Sequence, residues 1–189
     1  MSVPMITVVE TLLKLYDRDL LRLEEEISLY PTDESIWKLS GAIKNTGGNL
    51  CLHLCGNLQH FIGKNLGRIA YVRNRDNEFA ARGISRAELI AEVQKTRQTV
   101  RESLETLKPS ILETEYPEKI YEYPVTTGYF LIHLIAHLSY HLGQINYHRR
   151  IFQAAESNES IADSIQPPAD SNEQSAEKSE ESAELEGNN

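Results

Sequence analysis

With only two cysteines in 189 residues, Cys51 and Cys55, the chain cannot be a disulfide-stapled scaffold. They stand four apart in a segment that reads as helix, where a bridge would close no stabilising loop, so reduced, buried thiols are expected. No apolar run approaches the roughly 20 residues that span a bilayer, which argues against a transmembrane helix. The opening "MSVPMITVVETLLKLYDRDLLRLEEE" has charges within a turn or two of every apolar cluster and no small-residue cleavage site, so no secretory signal is expected. A soluble, cytoplasmic protein follows as the expectation. No Lys/Arg cluster is present to neutralise a phosphate backbone, which argues against nucleic-acid binding. Sustained period-two alternation is missing too, which leaves no candidate sheet.

What charge there is sits unevenly. The net charge is −9, and residues 156–189 hold ten of the 28 acidic residues against one base, Lys178, so the rest of the chain is neutral. That tail has no aromatic residue and few aliphatics, too little apolar surface to offset the entropy of ordering it. Residues 155–189 are therefore expected to be a disordered, solubilising extension, and residues 1–154 a single domain around one core.

Apolar residues recur at three and four in four segments, the mark of amphipathic helices. They run from about Pro4 to Leu29, Thr46 to Arg68, Ser85 to Lys108 and Thr126 to Phe152. Pro4, Pro31, Pro109 and Pro124 punctuate them, and "SRAE" at Ser85 is a capping box in which Glu88 reaches back. Ile6, Val9, Leu12, Leu13, Tyr16, Leu20, Leu23 and Ile27 form the first apolar stripe. Four helices of matching length share a core as an all-α four-helix bundle, and the long connections between them permit crossovers. Glycines 47, 48, 56, 63 and 67 weaken the second helix and point to close approach of a neighbouring backbone or a ligand.

Four of the six histidines, His133, His137, His141 and His148, fall in "HLIAHLSYHLGQINYH" on the fourth helix. At about 100° per residue, His137 and His141 are the best inward pair, with His133 further out and His148 nearly two turns beyond. Imidazoles at i and i+4 share a face and can bind one ion, but two ligands are too few, so a third must come from another helix. The second helix offers His53 and His60, of which His53 lies nearer its core stripe. Spacing alone leaves hydrogen-bonded packing and metal ligation both open. Position 138 is Leu, so the H-E-x-x-H protease arrangement is absent.

"HLIAHLSYHLGQI" resembles the fourth-helix signature of the DinB-like (YfiT-like) metalloenzyme superfamily, and "NTGGNLCLHLCGNLQHFIG" and "YVRNRDNEFAARGISRAEL" resemble segments of an uncharacterised branch of it. The likeness covers roughly residues 5–153. It implies an up-down-down-up bundle and a divalent ion held by His53, His137 and His141, with Leu142 where the usual signature has Arg. Three imidazoles leave a coordination position free for a water or a low-molecular-weight thiol, as in the thiol-dependent transferases of that superfamily. Zinc and nickel both suit such ligands. Asn57, Gln144 and His133 are candidate supports around the ligands, with interhelical hydrogen bonding as their other reading. Asp76 and Glu78, in the charged loop "NRDNEF", are the candidate acid or base. The expected function is a metal-dependent transferase or hydrolase acting on a small molecule, with a homodimer as an allowed state. The competing expectation is a non-catalytic helical binding or scaffold protein, with structural histidines and an acidic tail that recruits a partner.

Overall fold

The computed structural model describes residues 6–165, with side chains to residue 155. Five helices form: α1 (Val8–Ser28), α2 (Gly47–Leu58), α3 (Arg75–Ala80), α4 (Arg86–Glu105) and α5 (Thr127–Ile165). Among the described residues, those up to Glu156 form one compact unit. The expected disorder of the acidic tail falls mostly on residues 166–189, outside the described part. Helix α5 itself runs on past the expected stop at Phe152 to Ile165, through "QAAESNESIADSI", which contains neither Gly nor Pro.

Local chemistry sets the starts. Thr7 caps α1 and Glu10 reaches back to complete a capping box, so the helix begins at Val8 rather than near Pro4. Ile6, counted into the apolar stripe, is exposed ahead of that cap. Ser85 and Glu88 form the expected box at α4. Thr46 caps α2, which continues without a break into a π-helical turn, Gln59–Lys64. Asn74 caps α3, a short helix where a loop was expected, with Asp76 and Glu78 in its first turn favouring the positive end of its dipole.

Side-chain links give the topology. Tyr16 donates to the Leu131 carbonyl (2.6 Å), Ser139 to Asp19 (2.7 Å), and Asn146 and Arg149 to Glu26 (2.7 Å each), so α1 and α5 run parallel. Arg97 and Arg101 of α4 converge on Asp17, and Gln94 donates to Glu24, so α4 is antiparallel to α1. Gln59 donates to Glu92 and Thr96, while Gly63 and Gly67 lie against Thr99 and Ser103, so α2 runs alongside α4 in the same direction. The bundle is therefore up-down-down-up. At Gly63 in the π-helical turn, and at Gly67 in the turn that follows it, a side chain would drive into α4, which accounts for glycine at both positions.

Leu20 and Leu23 of α1, Leu54 and Leu58 of α2, Leu89 of α4 and Leu134 of α5 meet in the core, and Cys51 and Cys55 are free and buried there. Between α4 and α5 the chain passes through a 3-10 turn, Pro109–Glu113, and a narrow loop closed by a single antiparallel bridge, Glu115 to Thr126. Tyr116 from that loop donates to the Phe61 carbonyl (2.7 Å). Among the described residues no helix is long and apolar enough to cross a membrane.

Candidate metal centre

His53 projects from the middle of α2, and His137 and His141 from successive turns of the antiparallel α5. Their ring nitrogens meet. His137 Nε2 lies 3.3 Å from His53 Nε2 and 3.1 Å from His141 Nε2, and one ligand atom from each of the three lies within 4.8 Å of the others. Ligands at 2.0–2.1 Å around a tetrahedral ion stand about 3.3 Å apart, so the two short spacings are those of a metal's coordination edge. His53 is buried, while His137 and His141 are half-buried, so one side of the cluster faces solvent.

Acceptors behind two of the rings favour the proton on Nδ1, at His53 against an Arg73 Nη2 that stands 3.3 Å from the same nitrogen. Glu78 Oε2 accepts from His53 Nδ1 at 3.0 Å, and Gln144 Oε1 accepts from His141 Nδ1 at 2.6 Å. Both rings are then Nδ1–H tautomers whose Nε2 lone pairs point at His137 Nε2. A single N–H on His137 cannot satisfy both. His137 Nδ1, meanwhile, is buried without a partner. A donor set with lone pairs converging on one point and too few protons to share fits a cation better than it fits hydrogen bonding.

Arg73 completes the support. It grips both Glu78 oxygens, Nε to Oε1 at 2.7 Å and Nη2 to Oε2 at 2.8 Å, and its guanidinium stands over the Phe61 ring. Burial alone would raise the Glu78 carboxyl, but hydrogen bonds from His53 and Arg73 and the Arg73 charge outweigh it, and the group stays below its ordinary range. Glu78 is thus an ionised anchor for His53, shared with Arg73. Gly56 makes room for it, because any side chain there would collide with the carboxylate. Asp76, the other acid of the pair, is exposed on α3.

Burial, reinforced by His141, His53, His133 and Arg73, pushes His137 down to about 4, and burial lowers His141 as well. An unfolded chain would protonate near 6.5, so between pH 6.5 and about 4 unfolding takes up protons and stability falls as pH falls. The metal-free protein is therefore expected to melt progressively lower across that window, with His137→Asn flattening the slope. Thermal denaturation of both proteins at half-unit pH steps, with chelator present, checks this.

The remaining candidates separate. Gln144 holds His141 and also donates to Tyr140 (3.2 Å). His133 is exposed, stacked between Phe130 and His137 with centroids 5.8 and 6.4 Å away. Asn57 is buried and makes no hydrogen bond to the three rings, and its Oδ1 has no partner. His148 is a core histidine, held by the Tyr30 hydroxyl (2.8 Å) and the Lys38 carbonyl (3.0 Å). His60 pairs with Glu118 (2.8 Å), away from the cluster. Arg73 carries no motif in the sequence. Its only signal is its place five residues before Glu78, across the Asn74 cap.

An up-down-down-up helical bundle with three histidines that could hold a metal ion is the class that fold and site define, and the fold is DinB-like. The chain belongs to the family described as "Protein of unknown function (DUF1572)", which matches residues 5–164. Two solved structures share the fold. A DinB-like protein from Bacillus cereus is 20% identical, with a TM-score of 0.64 over 80% of this chain and 95% of that one. A conserved protein from Enterococcus faecalis is 16% identical, with a TM-score of 0.66 over 79% of this chain and 99% of that one. No curated protein matches the sequence.

Proposed function

We propose that this chain is a divalent-metal-dependent enzyme that uses His53, His137 and His141 as ligands, and that it acts as a thiol-dependent transferase or a hydrolase on a small molecule. The observation that carries this reading is the convergence of three Nε2 atoms with one side open to solvent. A structural zinc site would be closed by a fourth protein ligand, and no fourth His, Cys, Asp or Glu joins this group among the described residues. A bound zinc or nickel ion would supply Lewis acidity, making a water or a thiol at the open position a stronger nucleophile at neutral pH.

The chain's own residues prepare that position. Glu78 and Gln144 lock the tautomers of His53 and His141 and so hold both lone pairs toward the centre. Arg73 neutralises Glu78, so the site presents its three imidazoles and no net anionic charge to an incoming substrate. With its carboxylate committed to Arg73 and His53, Glu78 serves as a positioning residue. His133 stands exposed at the rim, stacked on His137.

Metal analysis of protein prepared without a histidine tag tests the reading. One zinc or nickel per chain is expected, lost on chelation and regained stoichiometrically. A cobalt-substituted form should show the intense visible absorption of a four- or five-coordinate nitrogen-rich site. Failure to take up zinc, nickel or cobalt at micromolar concentration would overturn it.

A further inference from the structure

The outer face of α5 is unlike the outer faces of the other long helices. Residues 127–148 contain no Asp, Glu, Lys or Arg, whereas exposed positions of α1 and α4 carry Lys14, Arg18, Arg22, Lys95 and Glu102 among others. Five large apolar side chains stand out from α5 into solvent: Tyr129 (51% exposed), Ile132 (56%), Tyr140 (64%), Tyr147 (70%) and Ile151 (42%). Exposed Ala136 and Gly143 lie between them. Tyr129, Tyr140 and Ile151 are eleven residues apart, as are Ile132 and Gly143, and Ala136 and Tyr147. Eleven residues make about three helical turns, so the set falls within an arc of about 100° and runs nearly straight along the helix for about 33 Å.

We infer that this stripe is a self-association surface on which a second copy of the chain docks through its own α5. Size supports it. Covering five side chains of this bulk, about half exposed, removes roughly 600 Å² per subunit, and flanking contacts bring the total toward the roughly 800 Å² per partner of a stable interface. Shape supports it as well. The stripe carries projecting tyrosines and, at Gly143, open space where a side chain would meet nothing within 4 Å, so one surface presents both knob and hole. A groove of about 560 Å³ between α1 and α5 borders Gly143 and Tyr147 and is edged by Arg18, Arg22 and Glu25. An apolar, tyrosine-rich centre with a rim of mixed charge is the anatomy of a protein interface.

Charge narrows the occupant. Two copies of the stripe, uncharged except for Arg150 beside Tyr147, approach with little repulsion. The chain's own residues 166–189 are acidic and lack aromatics, and Leu185 is their one large aliphatic side chain, too little apolar surface to cover the stripe. A helix lying on anionic lipid carries a row of Lys and Arg beside its apolar face, whereas residues 127–155 offer only Arg149, which is bound to Glu26, and Arg150, which stands over the Tyr147 ring. Tyr147 and Ile151 also line a cavity of about 420 Å³ that includes Gln144, the residue holding His141. Docking of a second copy would therefore wall that cavity on the side of Gln144.

Light scattering coupled to size exclusion, on the full chain at micromolar concentration, is expected to give about twice the 21.5 kDa chain mass. Ile132→Glu and Tyr147→Glu should each restore the single-chain mass with unchanged helical circular dichroism. Leu39→Glu, an equally exposed apolar site off the stripe, should leave the dimer intact. His137→Ala should leave it intact too, which separates this surface from the metal reading. A parent that is monomeric at 100 μM overturns the inference, as does a dimer that survives both stripe substitutions. Binding of a monomeric parent to phosphatidylcholine vesicles would assign the stripe to a lipid surface instead.

Discussion

Replacing His137 with alanine is expected to abolish metal binding while leaving the bundle folded. His137 Nε2 is the shared corner of the cluster, within 3.3 Å of both other Nε2 atoms, so its loss leaves two imidazoles and no convergent set. Affinity for zinc or nickel should fall at least about a thousandfold, roughly 4 kcal/mol. The fold is held elsewhere, by Leu20, Leu54, Leu58, Leu134 and their neighbours, and His137 is only half-buried. Its buried Nδ1 is unpartnered, so its removal deletes an unsatisfied polar group along with the ligand. Titration calorimetry with the metal, alongside circular dichroism melts in chelator, separates the two effects. Full metal occupancy in the variant would show that the ligand set is wrong. A variant that unfolds would show that the ion serves the fold, and the enzyme reading would lose its support.

How the bundle was legible, and where it was not, follows from which forces act locally. The stripe Tyr16, Leu20, Leu23 and Ile27 and the box at Ser85 were readable because periodicity and capping are written within a few residues. The up-down-down-up order came through a resemblance rather than through periodicity, which carries no direction. The π-helical turn at Gln59–Lys64 was invisible, since an extra residue in a turn leaves the apolar count almost unchanged. Helix α3 shows no period in the sequence because six residues are too few, although Asn74 followed by Asp76 and Glu78 is a helix-start signal.

At the site, the wheel positions of His137 and His141 placed them on one face, and the structure brings them together with His53. The wheel put His53 only at the margin of its core stripe, because that stripe is defined by apolar packing. A polar centre lies beside the core, where α2 faces both α5 and the loop bearing Arg73. Gln144 was findable, three residues after His141 on the same face. The roles of Glu78 and Arg73 were not, because they depend on α3 folding back over Gly56, a tertiary event that no spacing encodes. The glycines were the nearest clue, and at Gly56 the close neighbour is that carboxylate.

Replacing Glu78 with alanine is expected to damage stability and metal affinity together, and to do so more than the loss of an ordinary helix-surface acid. The substitution takes the acceptor from His53 Nδ1 and both hydrogen-bonded oxygens from Arg73, whose side chain is only 13% exposed. A largely buried guanidinium left without its counter-charge costs about 2–4 kcal/mol, which lowers the melting temperature by roughly 5–15 °C in a chain of this size. His53 is then free to change tautomer and rotate, and loss of such a support weakens metal binding about 10- to 100-fold. Glu78→Gln separates the two consequences. It keeps an oxygen for His53 but no charge for Arg73, so stability should fall nearly as far while most of the affinity returns. Calorimetric melts of the metal-free variants and competitive titration of the metal-loaded ones read these outcomes. An alanine variant with parental affinity would show that His53 is oriented by α2 packing alone. A glutamine variant with parental stability would show that Arg73 reaches solvent rather than remaining stranded.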